Sequence, residues 1–230
     1  MTAPAVTEEK TLLRIGAMAA ISLGIGYLLI VALYVPMGGP PRGLEARLAY
    51  FGAHIGEWWA VIWLSIITDL LFVPVGFSLY RTLKELSRNS MVFAAAFIAL
   101  FVVLDLAVTW PNYAALMAAS MEYANAAAPS QKAVALAAAA VPAAVLDSNV
   151  LFVYNSLTLA VGILIAGIVM LRGVFSRLAA YLGVVTGAMG IFSVITSFVV
   201  HDVGIAIFFT SVLTTAWLFA VGFRLNRLAH

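Results

Sequence analysis

The sequence SNVLFVYNSLTLAVGILIAGIVML, which runs from Ser148 to Leu171, contains no charged residue. A helix needs about 20 apolar residues to cross the hydrocarbon core of a bilayer, so this stretch is long enough to span a membrane. Five further stretches carry at most one charge each over a similar length. We therefore predict six transmembrane helices, at residues 15–36, 56–80, 91–117, 149–171, 178–200 and 203–223. Transmembrane β-strands are excluded because they require short segments in which polar and apolar residues alternate.

The composition of the whole chain indicates the same fold class. Of its 230 residues, 64% are hydrophobic and 10% are charged, whereas a soluble domain has about 25% charged residues. This composition excludes a soluble enzyme, a nucleic-acid-binding domain and a disordered tail. Cysteine is absent, which excludes disulfides, thiolate metal sites and iron–sulfur clusters. We predict an all-α polytopic membrane protein, a six-helix bundle that forms one domain over residues 1–230.

The distribution of lysine and arginine predicts the orientation of the bundle. If the N-terminus is cytoplasmic, nine basic residues lie on the inside, and only Arg42, Arg47 and Lys132 lie outside. Basic residues in short loops favour the cytoplasmic side, so both termini are predicted to be cytoplasmic, with the protein in the cell inner membrane. The formal net charge is +2. Because the basic residues cluster at helix ends, their predicted partner is the lipid bilayer and not nucleic acid.

The connections between the predicted spans differ in length. The inner loops at residues 81–90 and 172–177 are short, so the helices that each one joins should be antiparallel neighbours. The outer segment at residues 118–147 is long and rich in alanine. Within it, Pro129 can start a short amphipathic helix that continues to about Pro142. We expect this extra outer helix to lie on the membrane surface or to cap the bundle.

Two carboxylic acids, Asp69 and Asp105, interrupt the apolar pattern inside the predicted spans. At a rise of about 1.5 Å per residue, Asp69 lies roughly 18 Å from Arg81, and Asp105 roughly 25 Å from Arg88. An ionised carboxylate at such depth costs several kcal/mol, and it marks a functional site by default. If both face the interior, the two acids could share a proton. The alternative is that each is a hydrogen-bonded packing residue between helices.

The third predicted helix extends this polar region. Asp105, Thr109 and Asn112 recur at steps of four and three residues, which places them on one face, and Tyr113 lies beside them. Pro111 removes a backbone hydrogen bond and should bend the helix. The face is either part of a binding site or a stripe of interhelical hydrogen bonds, each contributing about 0.6–2 kcal/mol.

The fifth predicted helix has a similar face. One sector of it contains Thr186, Gly190, Ser193 and Ser197, and His201 continues this sector at the outer end. Gly183 and Gly187 beside it form a small-xxx-small pattern. This pattern is common in membrane spans, where it is typical of close helix packing.

Polar residues also gather at the outer ends of the predicted helices. Glu57, His201 and Asp202 should lie at one level, and Asn155 lies on the same side of the membrane. They indicate either a pocket for a ligand or proton that opens to the outside, or an interfacial belt. No zinc-binding spacing such as HExxH is present, so we predict no metal site, and no cofactor is indicated.

Three short motifs suggest a family. They are VLDL at residues 103–106, Asn112-Tyr113, and YANA at residues 123–126. In these motifs, and in the order of six spans over nearly the whole chain, the protein resembles a family of six-helix bacterial integral membrane proteins that is named only as a domain of unknown function. The resemblance implies an inner-membrane protein of about this size. It implies no activity and therefore transfers no catalytic residue.

Three functions remain open on the sequence alone. The first is binding or transport of a small amphipathic or lipid-like molecule through an outward-facing polar pocket, with Asp69 and Asp105 as anchors or proton carriers. The second is a membrane-embedded enzyme that acts on a lipid-like substrate with the outer group around His201. The third is a structural or assembly role without a ligand of its own. The sequence also leaves open whether the protein forms a homo-oligomer. The chain has no Walker A loop, GxGxxG fingerprint or GxSxG elbow.

Overall fold

The computed structural model describes residues 3–199 and 204–230, with side chains described for residues 8–199 and 208–230. Throughout this part of the chain the regular elements are helices, as predicted. They are α1 (Ala3–Met37), α2 (Leu44–Ala53), α3 (Ile55–Leu104), α4 (Trp110–Asn125), α5 (Pro129–Leu146), α6 (Asn149–Met170), α7 (Arg177–Ser197) and α8 (Gly204–Leu228). A π-helical segment, Asp105–Thr109, joins α3 to α4.

Six helical stretches among the described residues are long and apolar enough to cross a membrane. They are Glu8–Met37, Ile55–Asn125, Pro129–Leu146, Asn149–Met170, Arg177–Ser197 and Phe208–Leu228. The second of these contains two of the predicted spans in one helical run, and the third is the predicted outer helix. The prediction of an all-α, multi-pass membrane protein is thereby confirmed.

The helix α3 folds back on itself at Ser87, whose φ of −162° and ψ of 85° are not helical. The rings of Phe72 and Phe101, which lie at nearly equal distances along the chain from Ser87, meet with their centroids 5.5 Å apart. The two arms of α3, residues 55–86 and 88–104, are therefore antiparallel neighbours, as the sequence predicts for its second and third spans. The turn occupies a single residue where the sequence predicts a loop.

The buried side chains form two hydrophobic cores. The larger core lies between α1, α3, α6, α7 and α8 and holds the bundle together. The smaller core contains Leu48, Phe51, Trp58, Leu116 and Met117, and it lies where α2 and α5 pack against α4. We call the unit of α2, α4 and α5 the cap. The predicted outer helix, α5, packs against α4 and α2.

Polar contacts also tie the cap together. Arg47 of α2 forms an ion pair with Asp147, which follows α5, at an N–O distance of 3.0 Å. The hydroxyl of Tyr123 in α4 donates a hydrogen bond to Glu45 of α2 at 2.5 Å. The side chain of Gln131 accepts hydrogen bonds from backbone N–H groups just before α5 and so caps its first turn. These contacts join all three helices of the cap.

Close packing of glycines brings α6 and α7 together. A Cβ placed on Gly183 would lie 3.0 Å from the Cα of Gly167, and a Cβ placed on Gly187 would lie 2.5 Å from the Cβ of Leu164. Any side chain larger than hydrogen would push the two helices apart. The small-xxx-small pattern of α7 is thereby confirmed as a helix-packing surface.

Lys10 of α1 and the C-terminal residue His230 lie together at the end of the bundle opposite the cap. Lys10 Nζ donates a hydrogen bond to the backbone oxygen of His230 at 3.3 Å. At the same end, Arg224 Nε donates to the backbone oxygen of Val174 at 2.6 Å. We call this the terminal end of the bundle.

Candidate functional site

A cavity of about 730 Å³ lies inside the bundle, where α1, both arms of α3, α6, α7 and α8 approach one another. Most of its lining is apolar or aromatic, and the carboxyl groups of Asp69 and Asp105 both line it. Other polar side chains on its walls are those of Tyr27, Ser65, Thr68, Trp110, Asn155, Ser156, Thr186, Ser193, Thr210, Ser211, Thr214 and Thr215. The cavity is the main candidate site because it combines the intramembrane acids with space for a ligand.

Asp69 lies on the first arm of α3 and is 3% exposed. Its Oδ2 accepts a hydrogen bond from Trp110 Nε1 at 2.5 Å. Ser65 precedes Asp69 by one helical turn, and Thr68 precedes it by one residue. The three side chains therefore share the face that lines the cavity. The Thr68 hydroxyl is directed back to the Ser65 carbonyl oxygen at 2.8 Å. The indole of Trp110 is therefore the partner that holds the Asp69 carboxyl in place.

Asp105 begins the π-helical segment, which exists because of a proline that follows it. Pro111 has no N–H, and its ring collides with the carbonyl four residues earlier, so regular α-helical bonding fails just before it. The backbone N–H of Trp110 instead reaches the carbonyl oxygen of Asp105, five residues back. The sequence predicts a bend at Pro111, and the structure shows a widened turn ahead of it.

The π-helical segment directs Asp105 and Thr109 toward α6. Asn155 of α6 donates hydrogen bonds through Nδ2 to Asp105 Oδ1 and to Thr109 Oγ1, the latter at 2.8 Å. Asn112, which the sequence places on the same face, instead donates to the carbonyl oxygen of Val108 at 2.7 Å. A π turn has one residue more than an α turn, and this shifts the register of every residue that follows.

Two polar atoms on the cavity wall lack a hydrogen-bond partner in the described structure. They are Asn155 Oδ1 and Thr186 Oγ1, and Thr186 is only 1% exposed. In contrast, the hydroxyls of Ser193 and Thr214 donate to backbone carbonyls of their own helices at 2.8 Å. An unpartnered buried polar atom is costly, so these two oxygens are available to bind water or a polar group of a ligand.

Tyr113, on α4 of the cap, lies between Trp58 and Trp110. Its ring stacks on Trp58 with centroids 5.5 Å apart and on Trp110 with centroids 5.6 Å apart. Trp58 belongs to the core of the cap, and Trp110 lines the cavity. Tyr113 is therefore part of an aromatic stack that joins the two, and it does not line the cavity itself.

The remaining predicted site residues lie apart from the cavity or outside the described residues. Glu57 is exposed near the start of α3. Near Glu57, the Nδ1 atom of His54 lies 2.9 Å from the Tyr50 backbone oxygen, although His54 is not one of the predicted site residues. His201 and Asp202 lie outside the described residues. Among the residues that are described, no three His, Asp or Glu side chains form a group that could hold a metal ion.

Several polar residues of the cavity are absent from the sequence-based prediction. The most numerous are Thr210, Ser211, Thr214 and Thr215 of α8, and Tyr27 contributes from α1. The α8 residues recur at steps of one, three and one, which places them on a single helical face. From this row of hydroxyl side chains the sequence could have predicted that α8 contributes to the site.

No family model matches the chain, and neither a curated protein nor a solved structure does. The resemblance suggested by the motifs at residues 103–106 and 123–126 therefore stays a prediction. The geometry of the cavity remains as the basis for a functional proposal.

Proposed function

We propose that this protein binds or transports a small amphipathic, lipid-like molecule, with the polar end of the molecule at Asp69 and Asp105. The observation that carries the proposal is the cavity of about 730 Å³ that both acids line. Pockets for small ligands usually have volumes of about 300–1,000 Å³, with apolar walls and a few converging polar groups. The cavity has this volume and this composition.

The walls of the cavity match the two parts of an amphipathic molecule. Asp69, Asp105 and Asn155 provide hydrogen-bonding oxygens for a head group. Leu28 of α1 and Phe219 of α8 are among the apolar side chains that can pack against a hydrocarbon chain. Burial of such a chain contributes about 0.8 kcal/mol for each methylene group that leaves water.

The position of Asp105 along the bundle favours access from the cap side. Eighteen residues separate Ser87 from Asp105, which corresponds to roughly 27 Å of helix. The hydrocarbon core of a bilayer is about 30 Å thick. With the turn at Ser87 at one boundary, Asp105 lies close to the opposite boundary, on the side of the cap.

We further propose that the terminal end faces the cytoplasm of a cell whose inner membrane holds the protein, and that the cap lies outside. The terminal end carries most of the basic residues, among them Lys10, Arg88 and Arg224, which favour the cytoplasmic side. Alkaline phosphatase fused after His230 should be inactive, because this reporter folds only outside the cytoplasm. An active fusion would reverse the proposed orientation.

The binding proposal can be tested with a photoreactive amphiphile. The protein is reconstituted in zwitterionic lipid nanodiscs and illuminated with an eight-carbon alcohol that carries a diazirine group. We expect saturable labelling of cavity-lining peptides of α6 and α8, which mass spectrometry would identify. Leu159→Trp should fill the cavity and abolish this labelling, and Ser156→Leu should reduce it. Ile168→Trp is the matched control on the same helix, because Ile168 is 43% exposed and outside the cavity.

Two results would contradict the proposal. One is labelling that does not saturate and is spread evenly over exposed helix faces such as that of Ile168. The other is unchanged cavity labelling in both Leu159→Trp and Ser156→Leu when each variant folds with the wild-type circular dichroism spectrum.

A further inference from the structure

We infer that the bound molecule carries a protonated primary or secondary amine at its polar end. This inference rests on the proposed function and names its class of ligand. Two acids, Asp69 and Asp105, line the cavity, and none of the described lining residues is Lys, Arg or His. A cation in the cavity must therefore come from outside the described part of the chain.

The charge pattern gives the first reason. In the described structure the ion pairs are Arg47–Asp147 in the cap and Lys84–Glu85 near the turn of α3, and neither involves a cavity acid. A carboxylate in apolar surroundings is strongly disfavoured unless a cation pairs with it. An ammonium group between Asp69 and Asp105 would supply that cation.

The balance of hydrogen-bond donors and acceptors gives the second reason. Two donors beside the acids are already used, because Trp110 Nε1 donates to Asp69 and Asn155 Nδ2 donates to Asp105 and Thr109. The unpartnered atoms are oxygens, Asn155 Oδ1 and Thr186 Oγ1. Asn155 Oδ1 can only accept, so its missing partner must be a donor. A primary ammonium group has three N–H donors, enough for a carboxylate and for these oxygens.

Aromatic side chains give a third, weaker reason. Six of them line the cavity: Tyr27, Phe101, Trp110, Phe152, Phe208 and Phe219. The faces of such rings attract cations, and their apolar area accommodates an alkyl chain. The same walls can therefore hold both the amine and its hydrocarbon tail.

The test compares three competitors with the same eight-carbon chain against the photoreactive alcohol in nanodiscs. They are octylamine, octyltrimethylammonium and octan-1-ol. We expect octylamine to compete at a concentration about ten to a hundred times lower than octan-1-ol, as for a hydrogen bond to a charged group. Asp69→Asn and Asp105→Asn should each remove most of this advantage of octylamine over octan-1-ol. Asp147→Asn is the matched control, since it makes the same charge change outside the cavity.

A second variant separates the role of N–H donors from that of charge. Thr186→Val keeps the side-chain shape and removes the unpartnered hydroxyl, so it should weaken octylamine severalfold and leave octyltrimethylammonium unchanged. Octylamine that competes no better than octan-1-ol would overturn the amine inference, while saturable labelling by the photoreactive alcohol would still support the proposed function. Absence of any saturable labelling would overturn both. If Asp147→Asn reduced the advantage of octylamine over octan-1-ol as much as the cavity variants do, the inference would also be overturned, because the advantage would then depend on the net charge of the protein.

Discussion

Replacement of Gly167 by alanine tests whether close contact between α6 and α7 forms the cavity wall. The added Cβ would lie 2.6 Å from the backbone nitrogen of Val184 and 2.7 Å from the carbonyl carbon of Gly183. Ordinary contacts of a Cβ begin at 3.4 Å. Backbone atoms cannot rotate away as a side chain can, so the two helices have to separate by roughly 1 Å to restore normal contact.

The expected change is a loss of stability. Forcing an extra carbon into a packed interface costs about 1–3 kcal/mol, and alanine in a helix regains about 0.5–1 kcal/mol relative to glycine. The net decrease in the free energy of unfolding should therefore be about 0–2.5 kcal/mol, and relative to an alanine that adds no clash it should be about 1–3 kcal/mol. Gly56→Ala is the matched control, because a Cβ on Gly56 would have nothing within 4 Å. It should leave stability unchanged or raise it by up to about 1 kcal/mol.

The assay is equilibrium unfolding of both variants in mixed micelles, with increasing sodium dodecyl sulfate and with tryptophan fluorescence and circular dichroism as probes. Because α7 carries Thr186 on the cavity wall, Gly167→Ala should also reduce labelling by the photoreactive alcohol. Equal stability of Gly167→Ala and Gly56→Ala would refute the conclusion that backbone contact between α6 and α7 shapes the cavity.

Three further predictions concern the polar groups of the site. Thr186→Val should raise the free energy of unfolding of the ligand-free protein by about 1 kcal/mol, because it removes an unpartnered buried hydroxyl. A lower free energy of unfolding than that of the wild type, measured by chemical denaturation, would contradict this. In a double-mutant cycle, Asn155→Ala and Thr109→Val should be coupled by about 0.6–1.7 kcal/mol, and zero coupling would show that their hydrogen bond does not stabilise the fold. Trp110→Phe should destabilise the protein by about 1.5–3 kcal/mol. The same substitution should destabilise the Asp69→Asn variant by less, which thermal unfolding of the wild type, the two single variants and the double variant would test.

The sequence predicts the helices of this protein well because charge is so unevenly distributed along it. The charge-free stretch from Ser148 to Leu171 becomes α6, which covers Asn149–Met170. The short connection at residues 81–90 correctly predicts an antiparallel pair of helices. It does not reveal that Ser87 alone makes the turn, because that depends on one residue's backbone angles.

The polar site is predicted only in part. Asp69, Asp105 and Asn155 stand out in the sequence, and the structure brings all three to one cavity. Asn112 is not among the residues that line the cavity; its side chain donates to the Val108 carbonyl oxygen, and the π-helical segment precedes it. The hydroxyl face of α8 is visible as a pattern, but its membership of the cavity depends on packing against α1 and α7.

The sequence by itself determines that this chain is a bundle of membrane helices and which residues are anomalous within it. It does so because a lipid environment requires long apolar stretches whose backbone groups bond internally, and both requirements can be read from a linear pattern. Only the tertiary structure decides that Asp69, Asp105, Asn155 and Thr186 meet around one cavity. That outcome depends on the rotation of each helix about its axis, which the glycine contacts of α6 and α7 and the π turn before Pro111 establish.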